Sequence, residues 1–357
     1  MTRNLRRAVQ LLILALVIHL FVIPQIGGAR RALSLVQSLN PLLLLLALAL
    51  EAAALLAYGR LMQVLLPPSH RPDLRVCTAV VVASCGINHV LPGGAATTAA
   101  VNARLLDRVG VPGPDIAFVL ATQGLGSAVL LNAILWVSLV VSIPTRGFDP
   151  LYGTAAAVGA VLLVLVALLV IGLLHGTHIL EAIVERIFSW IPFADSRRTV
   201  NALHHFADQL GVLADDRSRL RQAVLWGTMN WLLDATVLGV VLFAFGHRPS
   251  LDGLMVAYGL ANVMAVLPFT PGGLGIVEAV LIPTLVGFGT PAAVAAVGVI
   301  GYRLINFWLP IPVGALCYVW VQRRARLDGT FAGWRRDLTV LAGEDRRHSE
   351  PSGSQTG

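Results

Sequence analysis

Thr270-Pro271-Gly272-Gly273-Leu274-Gly275-Ile276-Val277-Glu278 interrupts one of the most apolar parts of the chain. Pro268, Pro271 and the three glycines break the backbone, and a carboxylate follows within one turn. In hydrocarbon, irregular backbone persists only where protein or a water-filled cavity satisfies its polar groups. A carboxylate at that depth is costly and is usually retained for function. The stretch therefore reads as a broken membrane helix beside a substrate pathway, and it makes the chain a membrane protein of more than simple spans.

The composition agrees. Of 357 residues, 56% are hydrophobic and 13% charged, with a mean hydropathy of +0.77. Soluble domains carry about 25% charged residues, so the expected class is an all-α, polytopic integral membrane protein. The net charge is +7, and all 26 basic residues are Arg. Their basicity is a topological signal, because cytoplasmic loops collect positive charge, with anionic lipid headgroups as a second attraction. No nucleic-acid partner is implied. Cys77, Cys85 and Cys317 all sit in apolar segments with no metal spacing, and they read as small packing residues.

A span needs about 20 apolar residues. Six stretches qualify as full spans: 8–26, 42–66, 116–142, 152–174, 223–245 and 292–321. The first follows Arg3, Arg6 and Arg7 and is too long for the usual 7–15-residue core of a signal peptide, so it is expected to be retained. Two further regions differ. Residues 76–103 run apolar, break at Leu91-Pro92-Gly93-Gly94 and resume; residues 253–289 do the same around Pro268 to Gly275. Both read as helical hairpins that enter the membrane and return to the side they came from. With a cytoplasmic N-terminus, this places 21 arginines inside, four outside (Arg30, Arg31, Arg146, Arg248) and Arg303 within the last span. The asymmetry supports that orientation in a plasma membrane, with both termini cytoplasmic. The hairpins then enter from opposite faces with Pro-Gly-Gly at each tip, an arrangement found in inverted-repeat transporters.

The expected organisation is one membrane domain over 1–326 and a polar, disordered cytoplasmic tail over 327–357. Residues 177–222 form a cytoplasmic connector within the membrane domain. Ile179, Ile183, Ile187 and Trp190 give it an amphipathic, surface-lying start, and its basic part over 197–221 is expected to be solvated.

Few charged residues lie inside the spans. Glu278 and Arg303 are the economical ion pair, since an unpaired charge at that depth is expensive. The pair either locks two helices or leaves Arg303 to contact phosphate with its planar fork. Glu51, in the middle of a span, faces the same cavity or offers Arg303 another partner. Asp234 and Asn230 share one helical face suited to interhelical hydrogen bonds. Asn88 and His89 precede the first break. The candidate substrate-binding set is thus Arg303, Glu278, Gly272, Gly273, Gly275, Pro92, Gly93, Gly94, Asn88, His89 and Glu51. Enzyme signals are poor: Gly-x-Ser-x-Gly, the P-loop, His-Glu-x-x-His and Cys-x-x-Cys are all missing from the chain. No cofactor is called for.

Thr270 to Glu278, followed by Tyr302-Arg303, Phe307-Trp308-Leu309-Pro310 and Gly314, resembles the closing signature of the lysylphosphatidylglycerol synthase transmembrane-region family, also called flippase-like membrane proteins. The stretch Asn88 to Gly110, with Leu91-Pro92-Gly93-Gly94 and Arg104, resembles the first motif of that family. The resemblance covers residues 8–322. Many members carry Gly-Glu and then Arg after the first break; this chain has Ala95-Ala96-Thr97, which withholds a first-hairpin charge. Larger relatives join this region to a soluble aminoacyl transferase domain, whereas only about 35 residues follow the last span here. The resemblance thus implies the translocating half without the synthase half: flipping or binding of an anionic phospholipid or a polyprenyl-phosphate-linked lipid. The alternative is a membrane-embedded transferase acting on a lipid-linked sugar or aminoacyl donor. A structural or accessory subunit is the third reading. Lipid identity, direction, energy source and oligomeric state are not encoded in any motif.

Overall fold

The computed structural model describes residues 40–91, 94–146, 159–161, 164, 196–265 and 270–326. The first described helix, α1 (Pro41–Leu65), starts where its chemistry says it should. Asn40 accepts a hydrogen bond from the Leu42 N–H at 3.0 Å and Pro41 occupies the first helical position, which satisfies an orphan donor and pre-sets the backbone angle. At 1.5 Å per residue its 25 residues extend about 37 Å, enough for a hydrocarbon core of about 30 Å. Then come α2 (Leu74–Val90), α3 (Gly94–Arg108), α4 (Gly113–Arg146), α5 (Ser196–Asp215), α6 (Arg217–Ala244), α7 (Leu251–Ala265), α8 (Ile276–Gly287) and α9 (Ala292–Arg326). No strand occurs among the described residues.

Four helices are long and apolar enough to cross a membrane: α1, α6, α9 and the Gly113–Ser142 part of α4. They coincide with four of the six expected spans, and the chain is an all-α polytopic membrane protein. The expected span 8–26, most of 152–174, the amphipathic start at 179–191 and the tail 327–357 lie outside the described residues. The basic part of the connector is helical, as α5, and carries Phe206, Ala207, Leu210 and Leu213 into the core beneath α1 and α4.

α4 can be used as a ruler. At its start, Asp115 is bonded to His70 at 2.9 Å and to the Gln209 amide at 3.0 Å. The same end gathers the arginines. Arg219 donates to the Val64 and Leu65 carbonyls at 2.8 and 2.6 Å, Arg71 donates to the Leu66 carbonyl, and Arg324 pairs with Asp73 at 3.0 Å. Arg219 and Arg71 thereby satisfy carbonyls that the end of α1 leaves without intrahelical partners. Ser142, about 40 Å further along α4 at the standard helical rise, donates to Asp252 at the start of α7 at 3.4 Å. The mouth of the first broken pair, α2 and α3, therefore opens at the arginine end. The mouth of the second, α7 and α8, opens at the other.

Both broken segments run inward and their tips touch. The turn Pro271–Gly273 packs against α2 and α3. The opposed hairpins read from the two Pro-Gly-Gly breaks are thus present as a tip-to-tip contact, with Pro92 and Gly93 themselves outside the described residues. Close helix crossings set their depth. A Cβ on Gly86 would lie 2.4 Å from the Pro310 carbonyl, and one on Gly314 would lie 2.6 Å from the Val82 carbonyl. Only glycine at both positions lets α2 lie directly on α9. This contact fixes the end of α2, with Asn88 and His89, against the middle of α9.

Candidate functional site

The site forms where the turn Pro271–Gly273 meets the kink in α9. Pro310 has no N–H to continue the helical ladder. The ladder slips there into a π-turn over Leu304–Trp308, with the Leu309 N–H bonded to the Leu304 carbonyl at 3.0 Å. Such insertions re-aim side chains and recur at functional sites. Here the slip directs Arg303, Asn306 and Phe307 inward, beside the tip of the second hairpin.

Arg303 is 6% exposed. Its Nε donates to Glu278 Oε1 at 2.6 Å and an Nη donates to the Gly272 carbonyl at 3.2 Å. The guanidinium lies over the Phe307 ring, 4.4 Å from its centroid. His89, from the end of α2, stacks on that same ring at 4.3 Å and 19°. The His89 Nδ1 lies 2.9 Å from the Phe307 carbonyl and takes the hydrogen-donor role there, because a carbonyl only accepts. One aromatic ring thus contacts both the arginine beside the second break and the histidine of the first.

Glu278 does two jobs. Its Oε1 holds Arg303, and its Oε2 accepts from the Gly275 N–H at 2.6 Å, the half of a capping box that a glycine N-cap permits at the start of α8. That contact satisfies a donor at the helix N-terminus and places negative charge at the positive end of the helix dipole. Gly272 has φ +54, and a Cβ there would come within 2.6 Å of both the His89 and the Phe307 rings. Glycine is needed at that position twice over, for its left-handed backbone and for the missing methyl.

A second polar cluster lies in the same interior. Asp234 of α6 accepts from the Tyr258 hydroxyl at 2.6 Å, from the Tyr302 hydroxyl at 3.0 and 3.1 Å, and from the Asn306 amide at 2.9 Å. The interhelical role expected of Asp234 is therefore met by three separate side chains. Glu51 joins this cluster, lying against Asp234 and Asn306; it does not pair with Arg303.

The structure thus brings together Arg303, Glu278, Gly272, Gly273, Gly275 and His89 from the expected set. Gly273 lies against Ala265 at the base of the turn, and Gly275 faces open space. Asn88 points a buried Oδ1 with no partner among the described residues. Gly94 opens α3 at φ +52. Sequence reasoning passed over Phe307, Tyr258 and Tyr302 as working parts. Phe307 was detectable in principle, four residues after Arg303 on one helical face.

Comparison with known proteins gives the context. A UPF0104 membrane protein of Methanothermobacter thermautotrophicus is 23% identical over 345 residues, covering 90% of this chain and 95% of the relative. The inner membrane protein YbhN of Escherichia coli is 23% identical over 228 residues, 62% of each chain. Two further similarities to UPF0104 membrane proteins of Methanothermobacter are shorter, spanning 28% and 35% of the relative's length. The family model described as the lysylphosphatidylglycerol synthase TM region matches residues 7–314, taking in both broken hairpins, the π-turn and Gly314. On that coverage, the chain is a member of the lysylphosphatidylglycerol synthase TM region family.

Proposed function

We propose that this protein binds an anionic phospholipid or a polyprenyl-phosphate-linked lipid and moves its headgroup across the plasma membrane. The observation that carries the reading is Arg303, a cation buried at the junction of two broken-helix tips whose mouths open at opposite ends of the molecule. An arginine costs several kcal/mol to hold at such depth without a purpose or a partner. Two of its nitrogens are engaged by Glu278 and Gly272, and Nη1 makes no hydrogen bond among the described residues. A phosphate oxygen is the natural third contact for that fork. The start of α8 adds the positive end of a helix dipole beside it. An apolar cavity of about 230 Å³ between α1, α4, α5 and α6, lined by Leu61, Leu65, Phe206 and Leu213, suits an aliphatic chain.

Proteoliposomes with a fluorescent phosphatidylglycerol test the reading. Wild-type protein is expected to expose inner-leaflet probe to a membrane-impermeant quencher, and a neutral diacylglycerol probe is expected to show no protein-dependent gain. Turnover of an aminoacyl or glycosyl lipid donor without lipid movement would instead select the transferase. The orientation is tested separately. A cysteine at Arg248, stacked on Phe243 at the end opposite the arginines, is expected to label only from outside the cell. A cysteine at Arg71 is expected to label only from the cytoplasm, and the reverse result would overturn the sidedness.

A further inference from the structure

The Glu51–Asp234 cluster is not the ion-pair partner of Arg303, and it sets two buried carboxyls side by side in the interior. Asp234 already receives three donors: the Tyr258 hydroxyl on Oδ2, the Asn306 amide on Oδ1 and the Tyr302 hydroxyl across both. Those three donors leave room for one more on a carboxylate, which offers about four acceptor positions. Glu51 comes from the middle of α1 and is 4% exposed. Its carboxyl lies against Asp234 and Asn306, while its Oε2 is fully buried with no hydrogen-bond partner among the described residues. No salt bridge reaches either carboxyl among the described residues. Two carboxylates in contact away from water cannot both remain ionised. A single positive charge has to enter the pair, and the geometry decides which kind. The tyrosine hydroxyls and the Asn306 amide turn hydrogens, not lone pairs, toward Asp234, so a sodium ion would find too few free oxygens. A hydrogen on Glu51 supplies the missing donor and turns the carboxyl contact into a hydrogen bond.

We propose that Glu51 is a proton-binding site that loads and unloads during the transport cycle, coupling lipid movement to the proton gradient. The inference rests on the lipid-moving reading above. The groups facing Glu51 are Asp234 from α6, Tyr258 from α7, Tyr302 and Asn306 from α9 and Cys85 from α2. Arg303 stands beyond them, within electrostatic reach of Cys85 and Tyr302. The link to the headgroup site is covalent and short. Tyr302, just before Arg303, and Asn306, in the π-turn just after it, are both hydrogen-bonded to Asp234. When Glu51 releases its proton, the cluster gains a negative charge that pulls on the donors bracketing Arg303. When it reloads, that pull is removed.

Two measurements on the full chain in vesicles test this, and they fail separately. Infrared difference spectra across a pH titration read the carboxylic-acid C=O band and need no transport. Wild-type protein is expected to show a band that appears on acidification and is missing in folded Glu51→Gln. Fluorescent phosphatidylglycerol then reports leaflet asymmetry under an imposed pH difference. One pH unit is expected to give about a tenfold asymmetry per proton coupled. In samples that still move lipid downhill, Glu51→Gln, a neutral mimic of the loaded carboxyl, is expected to lose the asymmetry. Replacing sodium by choline is expected to change nothing. A band retained in Glu51→Gln, asymmetry retained in that variant, or dependence on sodium would each overturn the proposal. Should the variant not fold, a wild-type band indifferent to pH would overturn it alone. Lipid that fails to move in any sample refutes the lipid reading, and the infrared titration still decides the proton site.

Discussion

Glu278→Gln and Arg303→Gln are each expected to reduce the yield of folded, monodisperse protein severely, and the double variant is expected to recover most of it. Either single change leaves one charge buried without its partner, at a cost of about 3–5 kcal/mol. The lower end is expected for Glu278→Gln, because that side chain keeps an acceptor for the Gly275 N–H and is 21% exposed against 8% for Arg303. The double variant has no unpaired charge. Its lipid movement, however, should be abolished if Arg303 holds the headgroup. Folded yield, thermal stability and lipid movement measured on the three variants form a complete cycle. Additive losses of stability would show that the pair is not energetically coupled. A double variant that moves lipid normally would make the pair a structural lock and shift the headgroup site toward Asn88 and His89.

Gly272→Ala is expected to lose function almost completely and to lose stability, whereas Gly275→Ala should be mild. Both positions have a left-handed backbone, φ +54 and φ +83, and share a strain cost on the order of 1 kcal/mol for a residue with a Cβ. Only Gly272 adds a clash, with ring atoms of His89 and Phe307 2.6 Å from the new methyl; at Gly275 nothing lies within 4 Å. Overpacking of that kind adds about 1–3 kcal/mol. It also pries apart the contact between the first and second breaks on which the proposed pathway depends. Thermal unfolding and lipid movement of the two variants side by side separate strain from clash. Equal loss in both would mean that the His89–Phe307–Gly272 contact carries no function.

The all-α membrane class, four of the expected spans, the two broken segments and the Glu278–Arg303 pair were legible from the sequence alone. Each follows from a property that one-dimensional order preserves. Apolar run length is matched to bilayer thickness, and proline with glycine breaks a helix wherever it stands. So few charges occur in the spans that burial cost leaves Arg303 a short list of partners. Even so, that list was one residue too long. Glu278 was the economical partner and Glu51 a second candidate, and the rotation of α1 gave Glu51 to Asp234 instead.

Tertiary structure alone decided the contacts that turn those elements into a site. Phe307 accepts His89 onto its ring and its carbonyl across 218 positions of chain. Tyr258, Tyr302 and Asn306 converge on Asp234 from separate helices or a separate turn of one. Gly86 meets Gly314 face to face. Hydropathy is nearly the same all round α1, α4, α6 and α8, so the usual amphipathic stripe that would announce an inward face is faint there. In such helices, packing of small residues and polar contacts choose the facing sides. Those choices depend on helix rotation and depth, which no local pattern in this chain records.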